Sequence, residues 1–322
     1  MKSSLFTFTL IILFCSVSFS QKKDKVPSNT SEQLNSTTFS GMKFRNVGPA
    51  FTSGRVADIA VNSKNPFEYY IAVASGGVWK TKNNGNTYEP IFDNENSYSI
   101  GCIAISPTNE NLIWIGSGEN NNQRSVAYGD GVYKSEDGGK TFKNMGLKTS
   151  EHIGKIIIHP KNEKIVYVAA YGPLWSAGGE RGVYKTTDGG NTWIKVLSIS
   201  ENTGINDLII DPRNPEIIYA AAHQRRRHVW TYIDGGPESA IHKSDDGGKS
   251  WKKLSNGLPS GQIGRIGLAI SPADPDYVYA IIKASGSTGG FYRSTDRGAS
   301  WTKRSAYQTS GNYYQEIVCD PY

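Results

Sequence analysis

The sequence has little of what staples small secreted domains or holds metals: three cysteines, five histidines and three methionines in 322 residues. Cysteine this sparse excludes a disulfide framework. Cys102 and Cys319 each sit in an apolar, strand-like run where a buried thiol is a common small filler. The histidines (His152, His159, His223, His228, His242) fall in separate contexts without metal-ligand spacing, so neither a metal nor a cofactor is expected. Neither a G-x-S-x-G turn nor a Cys–His arrangement stands out. Long apolar runs are missing too: no stretch approaches the roughly 20 residues that a spanning helix needs. No segment sustains a 3.6-residue apolar period, which excludes a helical fold.

What is present is 35 glycines and 11% aromatic residues, the composition of many short strands and tight turns. Residues 1–20 carry Lys2, the apolar run Leu10–Phe14 and small residues ending at Ser20, the layout of a cleavable secretory signal. Bulky Leu13 and Phe14 argue against a lipid anchor at Cys15. The mature protein is expected outside the cytoplasm. Residues 21–40 are polar with few large apolar side chains and read as a flexible leader. The net charge of +6 is spread over lysines that recur with a repeat (Lys134, Lys143, Lys185, Lys195, Lys243, Lys252), which reads as solvated edges and excludes a nucleic-acid-tracking patch.

That repeat decides the fold class. Five segments fit [ST]-x-[DN]-x-G-x-[ST]-[FWY], with third positions Asn83, Asp137, Asp188, Asp246 and Asp296 spaced 50–58 residues apart. A short carboxylate or amide that accepts backbone N–H groups two residues on, beside a glycine supplying positive φ, fixes a tight hairpin. These residues are read as structural. The aromatic that closes each motif (Tyr88, Phe142, Trp193, Trp251, Trp301) is expected between neighbouring units. Each unit holds an inner strand, an Asn/Pro turn, a second strand, a third ending in a sequence such as GVYKT, and a fourth delivered by the motif. The expectation is an all-β propeller with five complete four-stranded blades across residues 41–322. MKFRNVGP at 42–49 resembles a fourth strand and QEIVCDPY at 315–322 an inner strand. The two orphan pieces predict an incomplete propeller, whose missing C-terminal blades belong to its own chain.

In such a blade the loops after the second strand share one face, opposite the Asp boxes, and loops on a rigid scaffold carry function. They supply Glu119, Asn120, Asn121, Asn122, Arg124 and Tyr128, then Trp175 and Glu180, then Arg225, Arg226, Arg227, Trp230 and Asp234. Amides, aromatic planes and guanidinium groups suit a glycan or an extended peptide. The reading favours a peptide or carbohydrate ligand bound there. Its alternative is a glycoside hydrolase, with Glu119 and Glu180 as the paired carboxylates.

Through GPAFTSGRVADIAVN, GSGENNNQRSVAYGDGVYKSEDGGKTF, ERGVYKTTDGGNTW and HQRRRHVW, residues 41–322 resemble the bacterial secreted, sortilin-like Asp-box (BNR) repeat propellers, often labelled glycosyl hydrolases. The resemblance implies a large multi-bladed extracellular propeller, and sortilin's peptide binding in its tunnel implies a binding role. Xyloglucanase-type relatives carry a catalytic Asp before a Gly-Gly-aromatic stretch; the matching stretch YIAVASGGVWK places Ala74 there. FRNV at Phe44 is a partial match to a sialidase arginine motif and lacks its proline.

Overall fold

The computed structural model describes residues 36–42 and 54–320. The expected secretory signal, most of the expected leader and residues 43–49 of the expected fourth strand lie outside the described residues. Within the leader, Ser36–Phe39 forms a single 3-10 turn.

The repeats become five antiparallel sheets, each in simple sequence order. Blade 1 is β1 (Val56–Val61), β2 (Tyr69–Val73), β3 (Gly77–Thr81) and β4 (Glu89–Pro90); blade 2 is β5 (Ile100–Ile105), β6 (Ile113–Ser117), β7 (Val132–Ser135) and β8 (Lys143–Asn144). Blade 3 is β9 (Ile153–Ile158), β10 (Val166–Ala170), β11 (Gly182–Thr186) and β12 (Ile194–Leu197). Blade 4 is β13 (Thr203–Ile210), β14 (Ile218–Arg227), β15 (Tyr232–Asp234), β16 (Ala240–Ser244) and β17 (Lys252–Lys253), its extra strand β15 pairing with the extended end of β14. Blade 5 is β18 (Ile263–Ile270), β19 (Val278–Ala284), β20 (Gly290–Ser294) and β21 (Thr302–Ser305). This is a β-propeller.

The Asp boxes hold the β3–β4 type turns through short bonds. Asp137 accepts Ser135 Oγ at 2.8 Å, the Lys140 and Thr141 amides at 2.9 Å and Thr141 Oγ1 at 2.6 Å. Asp188, Asp246 and Asp296 repeat the pattern, and Asn83 keeps the amide bond through its Oδ1. The amides bonded lie three and four residues on, further along than the two-residue turn expected from sequence, because the serine or threonine at the first position takes the nearer amide (Gly139 N to Ser135 Oγ, 2.9 Å). The residue after the Asp or Asn has positive φ in every box: Asn84 57°, Gly138 74°, Gly189 75°, Gly247 68° and Arg297 56°.

Four apolar cores fill the four spaces between successive blades. The box aromatics go where expected in blades 2 to 5: Phe142 meets Phe92 edge-on at 5.1 Å, Trp193 meets Trp114 at 5.9 Å, and Trp301 is buried against blade 4. Tyr88 of blade 1 instead stays exposed. A polar latch accompanies each core. An aromatic on the second strand and a lysine on the third (Tyr70 with Lys80, Trp114 with Lys134, Tyr167 with Lys185, Tyr219 with Lys243) are cross-strand pairs. Together they reach the box carbonyl of the next blade: Lys80 to Gly138, Lys134 to Gly189, Tyr167 and Lys185 to Gly247, Tyr219 to Arg297, at 2.8–3.3 Å.

Around the axis, the equivalent position of the five inner strands is Asp58, Cys102, Lys155, Asp207 and Gly267, and Glu316 joins them. Asp58 accepts the Ile103 amide and Asp207 the Leu268 amide, so each carboxylate pins the inner strand of the next blade. Lys155 Nζ lies 3.5 Å from Asp58; burial opposes its charge, but Asp58 and Asp207 together raise its pKa. Asp58, Lys155, Asp207, Glu316 and Arg265 border a cavity of about 330 Å³. Residues 315–320, expected as an inner strand, form none: Gln315 bonds the Arg265 and Ile281 carbonyls, but no second strand is present among the described residues to build a ladder.

Candidate functional site: the long-loop face

The loops after β2, β6, β10, β14 and β19 lie together, opposite the Asp boxes. The longest, after β6, does not stand out from this face. It turns inward at Gly118, whose φ is +84° and where a Cβ would fall 1.8 Å from the Glu151 carbonyl oxygen, leaving no room for a side chain. Residues Glu119–Asn122 then run across the long-loop end of the axis and touch every blade. Arg55, at the edge of blade 1, donates to Glu119 Oε1 at 2.6 Å through Nε and 2.5 Å through Nη2. Asn121 Nδ2 and Tyr314 Oη donate to the same oxygen, while Glu119 Oε2 is buried without a partner. Asn120 Nδ2 bridges the Gly101 and Gly154 carbonyls of β5 and β9 at 3.1 and 3.2 Å, and its own carbonyl accepts from Arg265 of β18.

Asn122 is the most connected. Its Oδ1 accepts from Arg225 Nη1 at 2.8 Å and Tyr171 Oη at 3.2 Å, its Nδ2 donates to Asp234 and Gly311, and its carbonyl accepts Arg227 Nε at 2.6 Å. Arg225 also bonds the Asn121 and Gly172 carbonyls and lies flat on Tyr171, 3.2 Å from its ring centre. Burial, reinforced by neighbouring Arg265, pulls the Arg225 guanidinium down to about 10. Arg181, bonded to four carbonyls of its own loop, falls to about 9 for the same reasons, with Arg225 and Arg226 beside it. Asp234 is the local anion: it takes Lys283 Nζ at 2.5 Å and lies 3.4 Å from His223 Nε2. Burial opposes the Asp234 charge, yet His223 and Lys283 hold its pKa at about 2. His223 Nδ1 sits 2.5 Å from Tyr171 Oη, and burial lowers the pKa of this imidazole against the pull of Asp234.

The sequence reading displayed Asn120, Asn121, Asn122, Arg225 and Arg227 to a ligand; the structure encloses them. Asn121, Asn122 and Arg225 have no exposed surface. The physical reason is stoichiometric: the loop backbone that crosses the axis presents carbonyls that need donors, and the arginines of β14 and β18 supply them. Glu119 is enclosed likewise, and Glu180 accepts the Thr149 amide and hydroxyl at 2.9 and 3.0 Å, sharing no bonded partner with Glu119. Arg226 is half-buried on Asn202 at 2.6 Å, and Arg124 is exposed. Ala74, at the position of the carboxylate expected from xyloglucanase-type relatives, is buried.

What this face does show to solvent is aromatic: Tyr128, Trp175 and Trp230, with Trp230 stacked on His228 at 5.4 Å and 12°. Trp175 follows Leu174, whose carbonyl accepts the Arg227 amide, so the loop after β10 abuts the β14–β15 hairpin that carries Trp230. One residue here had no signal in the sequence. Glu151, on the connection between blades 2 and 3, is a half-buried non-glycine at φ 61°, and burial raises its carboxyl pKa. Only the tertiary placement reveals that strain.

No protein-family model matches the chain. Among curated proteins, the xyloglucanase Xgh74A of Acetivibrio thermocellus is 25% identical over 329 aligned residues, covering 92% of this chain and 35% of its own length. A xyloglucanase of Hypocrea jecorina is 28% identical over 165 residues, covering 49% of this chain and 18% of its own length. The chain thus spans about a third or less of these relatives. Among solved structures, an ancestral GH74 enzyme aligns with a TM-score of 0.62 at 20% identity over 84% of this chain and 33% of that one. The GH74 enzyme of Niastella koreensis aligns at 0.59 and 17%, over 77% of this chain and 38% of its own. YCF48 bound to D1 peptide aligns at 0.51 and 16%, over 80% of this chain and 70% of its own. These likenesses bear out the propeller fold. The curated relatives are glycoside hydrolases, which favours the sugar side of the reading over a purely non-catalytic module.

Proposed function

We propose that this chain is the polysaccharide-binding propeller portion of an extracytoplasmic, glycoside-hydrolase-type protein whose ligand is a neutral glucan such as xyloglucan. The observation that carries it is the aromatic surface on the long-loop face. Tyr128, Trp175 and Trp230 are exposed there while the guanidinium groups beneath them are committed to loop carbonyls. Aromatic planes stack on sugar rings without needing charge. The xyloglucanase relatives support the same ligand class. A peptide reading would draw on the arginines of β14, and two of those three, Arg225 and Arg227, are withdrawn from solvent.

In this proposal the chain contributes binding, and the propeller is completed by further blades of the same polypeptide. The short share of each relative that it spans supports that part. Glu119 and Glu180 act structurally, each occupied by local donors.

Calorimetric titration with xyloglucan oligosaccharides, alongside a reducing-end assay, tests the reading. Micromolar to millimolar binding that falls at least tenfold in Trp175→Ala and Trp230→Ala is expected. Equal affinity of both variants and the parent chain, or binding to acidic peptides alone, would refute it.

A further inference from the structure

The four blade junctions share one polarity. In each, the second-strand aromatic, the third-strand lysine or both donate from one blade to the box carbonyl of the next, beside an inner-strand aliphatic residue that the junction buries. Those aliphatic residues are Ile103, Ile156, Leu208 and Leu268, 1–5% exposed. Their counterpart in blade 1, placed by the same pairing register, is Ile59, which is 52% exposed. Val56, Val61 and Tyr88 are exposed with it, and the Asn84 carbonyl, in the receiving position, accepts no hydrogen bond from a described residue. At the other end the latch pair is Tyr279 and Arg293, cross-strand partners in blade 5. Both are half-buried; Tyr279 stacks on Phe291, Arg293 lies over Tyr277, and neither donates a hydrogen bond to a described residue.

We propose that these two faces are half-junctions, each seated in the complete protein by a further Asp-box blade of the same polypeptide. The blade beyond blade 5 offers a box carbonyl to Tyr279 and Arg293. The blade before blade 1 offers an aromatic–lysine pair to the Asn84 carbonyl and covers Ile59. The argument is continuity with four junctions of known chemistry, and it rests on the completion by further blades set out above. The chemistry fits as well: the latch donor is a lysine in blades 1 to 3 and Tyr219 in blade 4, and the acceptor in each of the four junctions is the carbonyl at the positive-φ position of the box.

With no further blade supplied, a second copy of the chain is the one surrogate that carries both halves. Sedimentation velocity on the purified chain at about 10–100 μM reads this out. Head-to-tail association is expected. Ile59→Glu and Arg293→Glu should each stay monomeric alone, and their equimolar mixture should give a dimer, since each copy keeps the face the other lost. A monomeric parent chain, or variants that associate as the parent does, would overturn the half-junctions.

The source is tested in the full-length polypeptide. There a monomer is expected, with Arg293→Ala lowering Tm by several degrees although it leaves unchanged the Tm of the isolated chain kept dilute enough to be monomeric. A full-length protein that itself assembles head to tail through these residues would make the occupant a second copy and overturn the proposal. Silence of Arg293→Ala in a monomer that does contain further boxes would sink this inference and leave completion standing. A full-length protein without further Asp boxes would sink both. None of these readouts depends on glycan.

Discussion

Arg225 offers the sharpest test of the difference between a displayed and an enclosed arginine. Were it a ligand contact, Arg225→Met would weaken binding and leave folding alone. In the structure its guanidinium makes three hydrogen bonds, to the Asn121 and Gly172 carbonyls and Asn122 Oδ1, and covers the Tyr171 ring. Met fills part of the volume but strands two carbonyls with no other described donor, at about 1–3 kcal/mol each. Losing the guanidinium also removes its own desolvation cost, which offsets part of that. A net loss of about 2–4 kcal/mol follows, or a fall in Tm of roughly 4–16 °C at about 2–4 °C per kcal/mol. Calorimetric unfolding of Arg225→Met beside Arg226→Met, whose parent side chain is half-buried with a single bond to Asn202, supplies the comparison. A shift below about 2 °C for Arg225→Met, or equal shifts for the two variants, would refute the assignment of Arg225 to the axial network.

Other perturbations separate the layers of the molecule. Trp230→Ala removes an exposed ring and should lower xyloglucan affinity with Tm unchanged, checked by titration and calorimetry on one preparation. Gly118→Ala should prevent soluble folding or lower Tm sharply, since its methyl meets the Glu151 carbonyl at 1.8 Å; circular dichroism decides. His152 and His223, lowered by burial, and His242, lowered to about 4 by burial and Lys253, stay neutral in the fold below the pH at which the unfolded chain takes up protons. The unfolded state then binds more protons, so stability present above about pH 6.5 is lost as pH falls toward 4. Urea midpoints across that window should decline, and a flat profile would contradict the burial of these rings. Asp234, held at about 2, adds a second loss as pH falls from about 4 through 2, which Asp234→Asn should remove.

The blades were legible because their determinants are local. An Asp box closes within a handful of residues, and Asp137 or Asp246 finds its amides wherever the rest of the chain goes. The inner strands were legible from β-branched runs of the right length. The face was legible as well, because loop lengths decide it. What each loop residue does there was not. Whether Asn120 points outward or bridges β5 to β9 depends on partners in other blades, among them Arg265, 145 residues away. No window of sequence contains that information. The same holds for Glu151, whose strained backbone follows from the loop that leans on it, and for Gln315, which read as a strand but had no second strand to pair with.

The crossing of Glu119–Asn122 over the axis bears on how the molecule comes together. In a linear array of repeats each unit answers only to its neighbours, and folding spreads from any starting point. Here a tetrapeptide emitted early in synthesis waits for donors in β14 and β18 and for acceptors in the Gly311–Asn312 turn before its polar groups are satisfied. Contacts of such long range slow folding and make its last step concerted. The repeats are thereby tied into one cooperative unit: blade-sized sections could gain local structure as they emerge, but the long-loop surface would acquire its shape only once blade 5 has arrived.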